Sequence, residues 1–249
     1  MSREFGTGEQ KTTFAIDRYE PGDSFALLVA GKPLSLVRTK LGQTFKAKLR
    51  FGSEPEQELY VSPVTLGDGI GILAASASIA PAPENIAEGK PWPLLDAARE
   101  AAVTNLRLDR VARQPIVLEL GSMGKPMAAL RACTDELLTH WGIDLARHAA
   151  RSRVAMPASN PARWLRSEDY PSAMLRNGAQ GLVQFRLMVG VDGKPTACHI
   201  QRSTRPKELD EMVCRNLMRR ANFTPALDSE GKPMLSYFQN SVRFQIYGA

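Results

Sequence analysis

Residues 182–189, Leu-Val-Gln-Phe-Arg-Leu-Met-Val, alternate so that Val183, Phe185, Leu187 and Val189 fall on one face. Successive side chains of a strand point to opposite sides, so this run is a strand with one face in a core. Gly190-Val191-Asp192-Gly193-Lys194-Pro195 follows at once, and Asp-Gly is a strong tight-hairpin signal because its glycine adopts positive φ freely. The return strand, Thr196 to Arg202, puts Cys198 and Ile200 on one face. Pro206 stands at a predicted helix start, with Leu209, Met212, Val213 and Leu217 at helical spacing to about Arg220. Phe223-Thr224-Pro225-Ala226 leaves the helix, 228–233 is a polar loop, and 235–246 is a last strand with Phe238, Val242, Phe244 and Ile246 inward. The order β-β-α-β predicts a small antiparallel sheet covered by one helix.

The first 150 residues have a different texture. Short runs at Thr12–Asp17, Ser24–Val29, Pro33–Val37 and Thr44–Phe51 are separated by Pro21-Gly22-Asp23, Gly31-Lys32-Pro33 and Gly52-Ser53. In the fourth run Phe45, Ala47, Leu49 and Phe51 alternate with polar residues. Further runs around 58–61 and 70–79 continue the pattern, which predicts a β-sandwich or a small barrel. After Pro81-Ala82-Pro83 a helix is expected over Trp92–Asn105, with Leu94, Leu95, Ala98 and Ala102 on one face. A strand at 115–120 then leads into a second helix bearing Met127, Leu130, Leu137, Leu138 and Trp141, stopped by Gly142. The expected class is α+β: a β-rich domain with two helices over 1–150, a linker at 151–161, and the small sheet with its covering helix over 162–249.

Chemistry-bearing residues are sparse. Gly121-Ser122-Met123-Gly124 lacks the G-x-S-x-G spacing of a nucleophile elbow, so Ser122 reads as a turn or cap residue. His140 and His148 are eight apart, too far for an i, i+4 metal pair, and read as helix-end residues. No nucleophile–base set, metal ligand set or cofactor motif is evident, so neither catalytic residues, metal nor cofactor is expected. The net charge of +6 permits anionic partners without naming one. Its densest basic group, Arg215, Arg219 and Arg220, reads as a solvated helix face, and no nucleic-acid motif accompanies it. No apolar run approaches the roughly 20 residues that cross a bilayer. Met1-Ser2-Arg3-Glu4 does not lead into a signal peptide, consistent with a cytosolic chain or with an exported one whose leader is missing.

The last 80 to 90 residues resemble the TonB C-terminal domain family. The resemblance runs from Tyr170-Pro171 through a helix at Ser172–Arg176 and Asn177-Gly178. It continues through Gly181-Leu182-Val183, Asp192-Gly193-Lys194-Pro195, Leu209-Asp210 and Phe223-Thr224-Pro225-Ala226 to Gly231-Lys232-Pro233 and Val242-Arg243-Phe244. Ser203-Thr204-Arg205 departs from the family's Ser-Ser-Gly, and a β-rich domain stands where an energy transducer has its membrane anchor and Pro-rich spacer. The resemblance therefore implies the docking domain without energy transduction. It also implies a periplasmic, non-enzymatic binding or adaptor protein, the export signal being absent from this sequence.

Such domains bind an extended peptide, the TonB box of outer-membrane transporters, as an added strand. By resemblance the edge is the last strand, with Gln239, Ser241, Val242, Arg243, Phe244 and Gln245, of which Ser241, Arg243 and Gln245 face outward. Packing within the chain, homodimerisation and a structural role at the cell wall are the alternative uses of that edge; a hydrolase in the N-terminal half is the enzymatic one. With the helix over the strand's inner face, Cys198 and Cys214 are expected to pair, with two buried thiols or a metal site as alternatives. Cys133 is then left as an interior thiol or one whose partner lies elsewhere.

Overall fold

The computed structural model describes residues 1–8, 11–18, 21–34, 44–66, 69–81, 83, 85–176, 181–203 and 207–244. It divides into two compact units, one of Met1–Ile86 with Trp92–Trp141 and one of Ala87–Pro91 with Gly142–Ala249.

The first unit is one antiparallel sheet of eight strands: β1 (Ser2–Phe5), β2 (Thr12–Asp17), β3 (Phe25–Gly31), β4 (Phe45–Phe51), β5 (Gln57–Leu66), β6 (Gly69–Ala77), β7 (Asn105–Asp109) and β8 (Ile116–Glu119). Their order is β1-β2-β3-β6-β5-β4-β7-β8. The guanidinium of Arg3 on β1 donates to the carbonyl of Leu120, just past β8. The sheet is thus curled until its first and last strands meet, giving the barrel-like form of the expected pair. Alternation sets its inside: Ala47, Leu49 and Phe51 are wholly buried, while Lys46 and Arg50 are exposed. Phe25 meets Phe51 edge to face at 5.9 Å within this core.

Two helices, α1 (Ala97–Ala102) and α2 (Gly124–His140), belong to this unit. The helix expected over 92–105 is much shorter. Asp96 starts it by accepting from the N–H groups of Ala98 and Arg99 at 2.7 and 3.2 Å. Proline at 91 and 93 keeps the preceding stretch irregular, and Trp92 and Leu94 are exposed. From Asn105 the chain is strand, with Leu106 and Leu108 inward, which a helical reading of 92–105 hides. On α2, Met127, Leu130 and Leu138 are buried as the stripe predicts, whereas Leu137 and Trp141 are half-buried. Buried Glu100 of α1 pairs with Arg131 of α2. The run at Pro33–Val37 begins as a 3-10 turn over Lys32–Leu34, and its last three residues lie outside the described residues.

The second unit contains α3 (Leu145–Ala149), β9 (Met156–Pro157), α4 (Ser172–Arg176), β10 (Gly181–Val189), β11 (Pro195–Ser203), α5 (Lys207–Arg220), β12 (Phe223–Thr224), β13 (Ala226–Leu227), β14 (Pro233–Met234) and β15 (Ser236–Phe244). Its main sheet has the order β11-β10-β15, antiparallel, with α5 across its inner face. The helix buries Leu209, Met212, Val213 and Leu217 against Val183, Phe185 and Leu187. Each such side chain contributes on the order of 2 kcal/mol.

Residues 151–161 carry pairings of their own inside this unit. β9 pairs with β12, Ser152 N–H donates to Leu227 at 2.9 Å, and the Arg153 side chain donates to Pro225 O at 2.9 and 3.2 Å. No helix among the described residues is long and apolar enough to cross a membrane.

Candidate functional site: the two edges of the small sheet

β10 is the middle strand of three, so β11 and β15 are both edges, and they differ. β15 runs against β10 from Gly181↔Phe244 to Val189↔Ser236 without a register shift. β11 breaks register with β10 twice, between Gln184 and Phe185 and between Met188 and Val189. Such bulges twist a strand and spoil it as a template. β11 is also tied down: Cys198 is disulfide-bonded to Cys214 of α5, with the two Cα atoms 5.6 Å apart. The bridge closes a span of 16 residues, a constraint that contributes about 3 kcal/mol in the chain-entropy account. Among the described residues, β15 pairs with β10 alone, and its other side has no strand.

The inner face of β15 is held by aromatic rings, two of which, Trp164 and Tyr170, precede the sheet in sequence. Trp164, 2% exposed, lies 5.8 Å from Phe238 and 5.2 Å from Phe223, and Phe223 lies 5.1 Å from Phe238. Tyr170 lies 5.4 Å from Phe244. The segment carrying these rings is fastened to α5. Arg220 grips Asp169 through both nitrogens, one at 2.9 Å, and donates to Trp164 O at 3.2 Å. The guanidinium holds the Asp169 carboxyl below its usual range. Arg220 is therefore a structural cation, unlike its expected solvated role, while Arg215 and Arg219 are exposed.

On the opposite face Tyr237 stacks at 5.7 Å on buried His148 of α3. Burial first, and then Arg151, push the His148 imidazole down to about 4. Gln239 donates across the sheet to Gln201 at 2.9 Å. Of the expected edge residues, Ser241 is exposed, Val242 and Phe244 pack inward, and Gln239 is half-buried. Gln245, like Ile246, lies outside the described residues, and of Arg243 only the backbone is described. Midway along the edge, the Ser241 N–H donates at 2.8 Å to the side-chain oxygen of its own neighbour Asn240.

The other residues singled out by resemblance build the frame. Gly193 has φ +77°, and a Cβ there would stand 2.1 Å from the carbonyl oxygen of Phe223. Only glycine satisfies both conditions. Asp192 Oδ1 accepts the Lys194 N–H at 3.0 Å, and Phe223 N–H donates to Gly193 O at 2.8 Å, joining hairpin to helix exit. Leu209 is wholly buried, Asp210 and Pro171 are half-buried, and Pro225 is the carbonyl that receives Arg153. Of this set, Tyr170 and Phe223 touch the inner face of the edge strand, at Phe244 and Phe238.

The remaining polar candidates do not gather. The Ser122 hydroxyl donates to Ala101 O at 2.8 Å and receives the Gly124 N–H at 3.4 Å, tying the end of α1 to the start of α2. His140 and His148 belong to different units. Cys133 is exposed on α2 rather than interior, because it lies at the flank of the buried stripe of Met127, Leu130, Thr134 and Leu138. Among the described residues, no three His, Cys, Asp or Glu side chains form a metal-holding group.

A three-stranded sheet with a helix on one face, one edge bulged and stapled and the other in unbroken register, defines a small open-sheet α+β module. Residues 166–246 match the family model of the Gram-negative bacterial TonB protein C-terminal, so this part of the chain is a TonB C-terminal-type domain. The family is one of envelope-associated, protein-interacting domains. Comparison with curated proteins and with solved structures gave no match.

Proposed function

We propose that the protein is a non-enzymatic adaptor of the periplasm whose C-terminal sheet docks an extended peptide along β15. The contrast between the two edges carries this reading: nine regular pairs leave β15 straight, whereas β11 is bulged and cross-linked. An added strand needs a regular row of backbone donors and acceptors. The incoming carbonyl replaces Asn240 as the acceptor for Ser241 N–H. A disulfide within the same domain fits an oxidising compartment, and the outer-membrane transporters served by this family supply the class of partner.

Titrating the 15N-labelled protein with a TonB-box-type peptide tests the reading. Amide shifts are expected along 236–244, with Ser241 among the largest. The same peptide N-methylated at alternate residues should lose its effect, since methylation removes the pairing donors. No shift along β15 at millimolar peptide, or shifts confined to β11, would sink the proposal.

A further inference from the structure

The first unit carries a basic cleft on the outer face of its sheet. Lys48 and Arg50 stand at alternate positions of β4, and the register sets Arg50 directly beside Arg107 of β7. The turn after β7 adds Arg110 and Arg113. With Glu56 and Asp109 they line an open cleft of about 630 Å³, five cations against two carboxylates. Like charges opposite one another in a sheet oppose folding, so a cross-strand arginine pair is a cost that local packing does not explain. Arg110 adds to it by holding φ 65°, the sole non-glycine with positive φ among the described residues. Backbone strain of this kind concentrates at binding sites. Arg107 is braced by Asp109 at 2.8 and 3.0 Å, and Arg110 by Glu58 at 3.0 Å. Arg50 and Arg113 are exposed and make no ion pair or hydrogen bond among the described residues.

We infer that this cleft binds an acidic carbohydrate. Guanidinium forks match carboxylate and phosphate oxygens, and Arg50 and Arg113 are the two not already engaged. The cleft is far larger than a single anion requires. Among the described residues no aromatic ring lines the cleft itself. The exposed ring of Tyr60 on the same face is covered by the Lys46 ammonium at 5.7 Å, which disfavours the stacking that single-stranded nucleic acid uses. Glu56 and Asp109 would repel a continuous phosphate backbone, yet they accept hydrogen bonds from sugar hydroxyls. Sugar acid groups of either kind, uronate or phosphate, satisfy the same set. The inference is independent of the peptide edge, which belongs to the other unit.

The test is calorimetry and amide-shift mapping on the whole chain with five probes: trigalacturonate, mannose 6-phosphate, inorganic phosphate, maltotriose and octathymidylate. At least one acidic sugar should bind at millimolar concentration or below and shift amides of 46–50 and 107–113, and the one that binds separates carboxylate from phosphate. Maltotriose should bind at least ten-fold more weakly. The pair R50Q/R113Q should weaken binding ten-fold or more with an unchanged far-UV spectrum; should that pair lose its fold, R113E on the exposed turn is read instead. Tighter binding of octathymidylate, equal binding of maltotriose, equal binding of inorganic phosphate and mannose 6-phosphate, or no binding of either acidic sugar overturns the inference.

Discussion

The eight-stranded sheet brings its two outer strands together, with Arg3 of β1 bonded to the backbone just beyond β8. The three-stranded sheet keeps both of its edges and treats each differently, one bulged and cross-linked, the other straight. The large sheet curls its two edges toward one another, with no ladder between them among the described residues, and fills its interior with the side chains between. A sheet of three strands is too short to curl and relies on fasteners: a disulfide, the Asp169–Arg220 pair and the rings of Trp164 and Tyr170. What the small unit gives up in closure it keeps as a regular edge with no second strand beside it among the described residues.

The sharpest way to break this contrast is at the hairpin of the small sheet. Gly193→Ala combines a left-handed backbone with a Cβ driven into the Phe223 carbonyl. The expected loss is about 4 kcal/mol, read as a fall in the urea midpoint. Gly142→Ala is the control, since it has nearly the same φ, +76°, and nothing within 4 Å of the added carbon. It should lose only about 1 kcal/mol. Equal losses at the two glycines would mean that the Phe223 contact does not hold the hairpin in place.

Acid should separate the units next. The folded-state value of His148 is about 4, below its ordinary 6.5, so between these values the unfolded chain takes up the proton and the folded one does not. The stabilisation from neutral His148 is complete above pH 6.5, declines as pH falls, and is gone near pH 4, a loss of about 3 kcal/mol for the second unit. Denaturant midpoints between pH 7 and 4 should show this slope, and His148→Phe should flatten it. An unchanged slope in that variant would place the acid sensitivity elsewhere.

The smallest expected effect concerns closure of the large sheet. Arg3→Met removes the bond to Leu120 and should cost about 1 kcal/mol. Hydrogen exchange should quicken at 12–17, against which β1 lies, and not at β15. Uniform quickening through the first unit would show that β1 is part of its global folding unit rather than a seal.

The small sheet was legible because every cue agreed. Alternation at 183–189, the Asp192-Gly193 turn and the apolar spacing of 209–217 are local signals for local structure, and Cys198 and Cys214 could be placed once strand and helix were known. The helix expected over 92–105 is present but too long at both ends, because Leu94 and Leu95 mimic helical spacing with Ala98, while the strand Asn105–Asp109 is defined by partners at 48–51 and 116–119, far off in sequence. β1 has no apolar alternation and exists through its register with β2. Trp164 and Asp169 carried no signal, since their partners Phe238 and Arg220 come more than 50 residues later. The basic cleft was hidden for the same reason: its cations lie at 48–50 and 107–113, apart in the chain and side by side across β4 and β7.

The short piece Ala87–Pro91 belongs to the second unit although the chain before and after it belongs to the first. The Gly89 carbonyl there receives the Val154 N–H at 2.9 Å. The polypeptide thus leaves the first body, lends five residues to the second, and returns to add α1, β7, β8 and α2. Each body consequently contains a seam, and no single cut yields both whole. A fragment starting at Gly142 would lack the acceptor for Val154, and one ending at Ile86 would lack the last two strands of the large sheet. The two parts are stitched rather than strung.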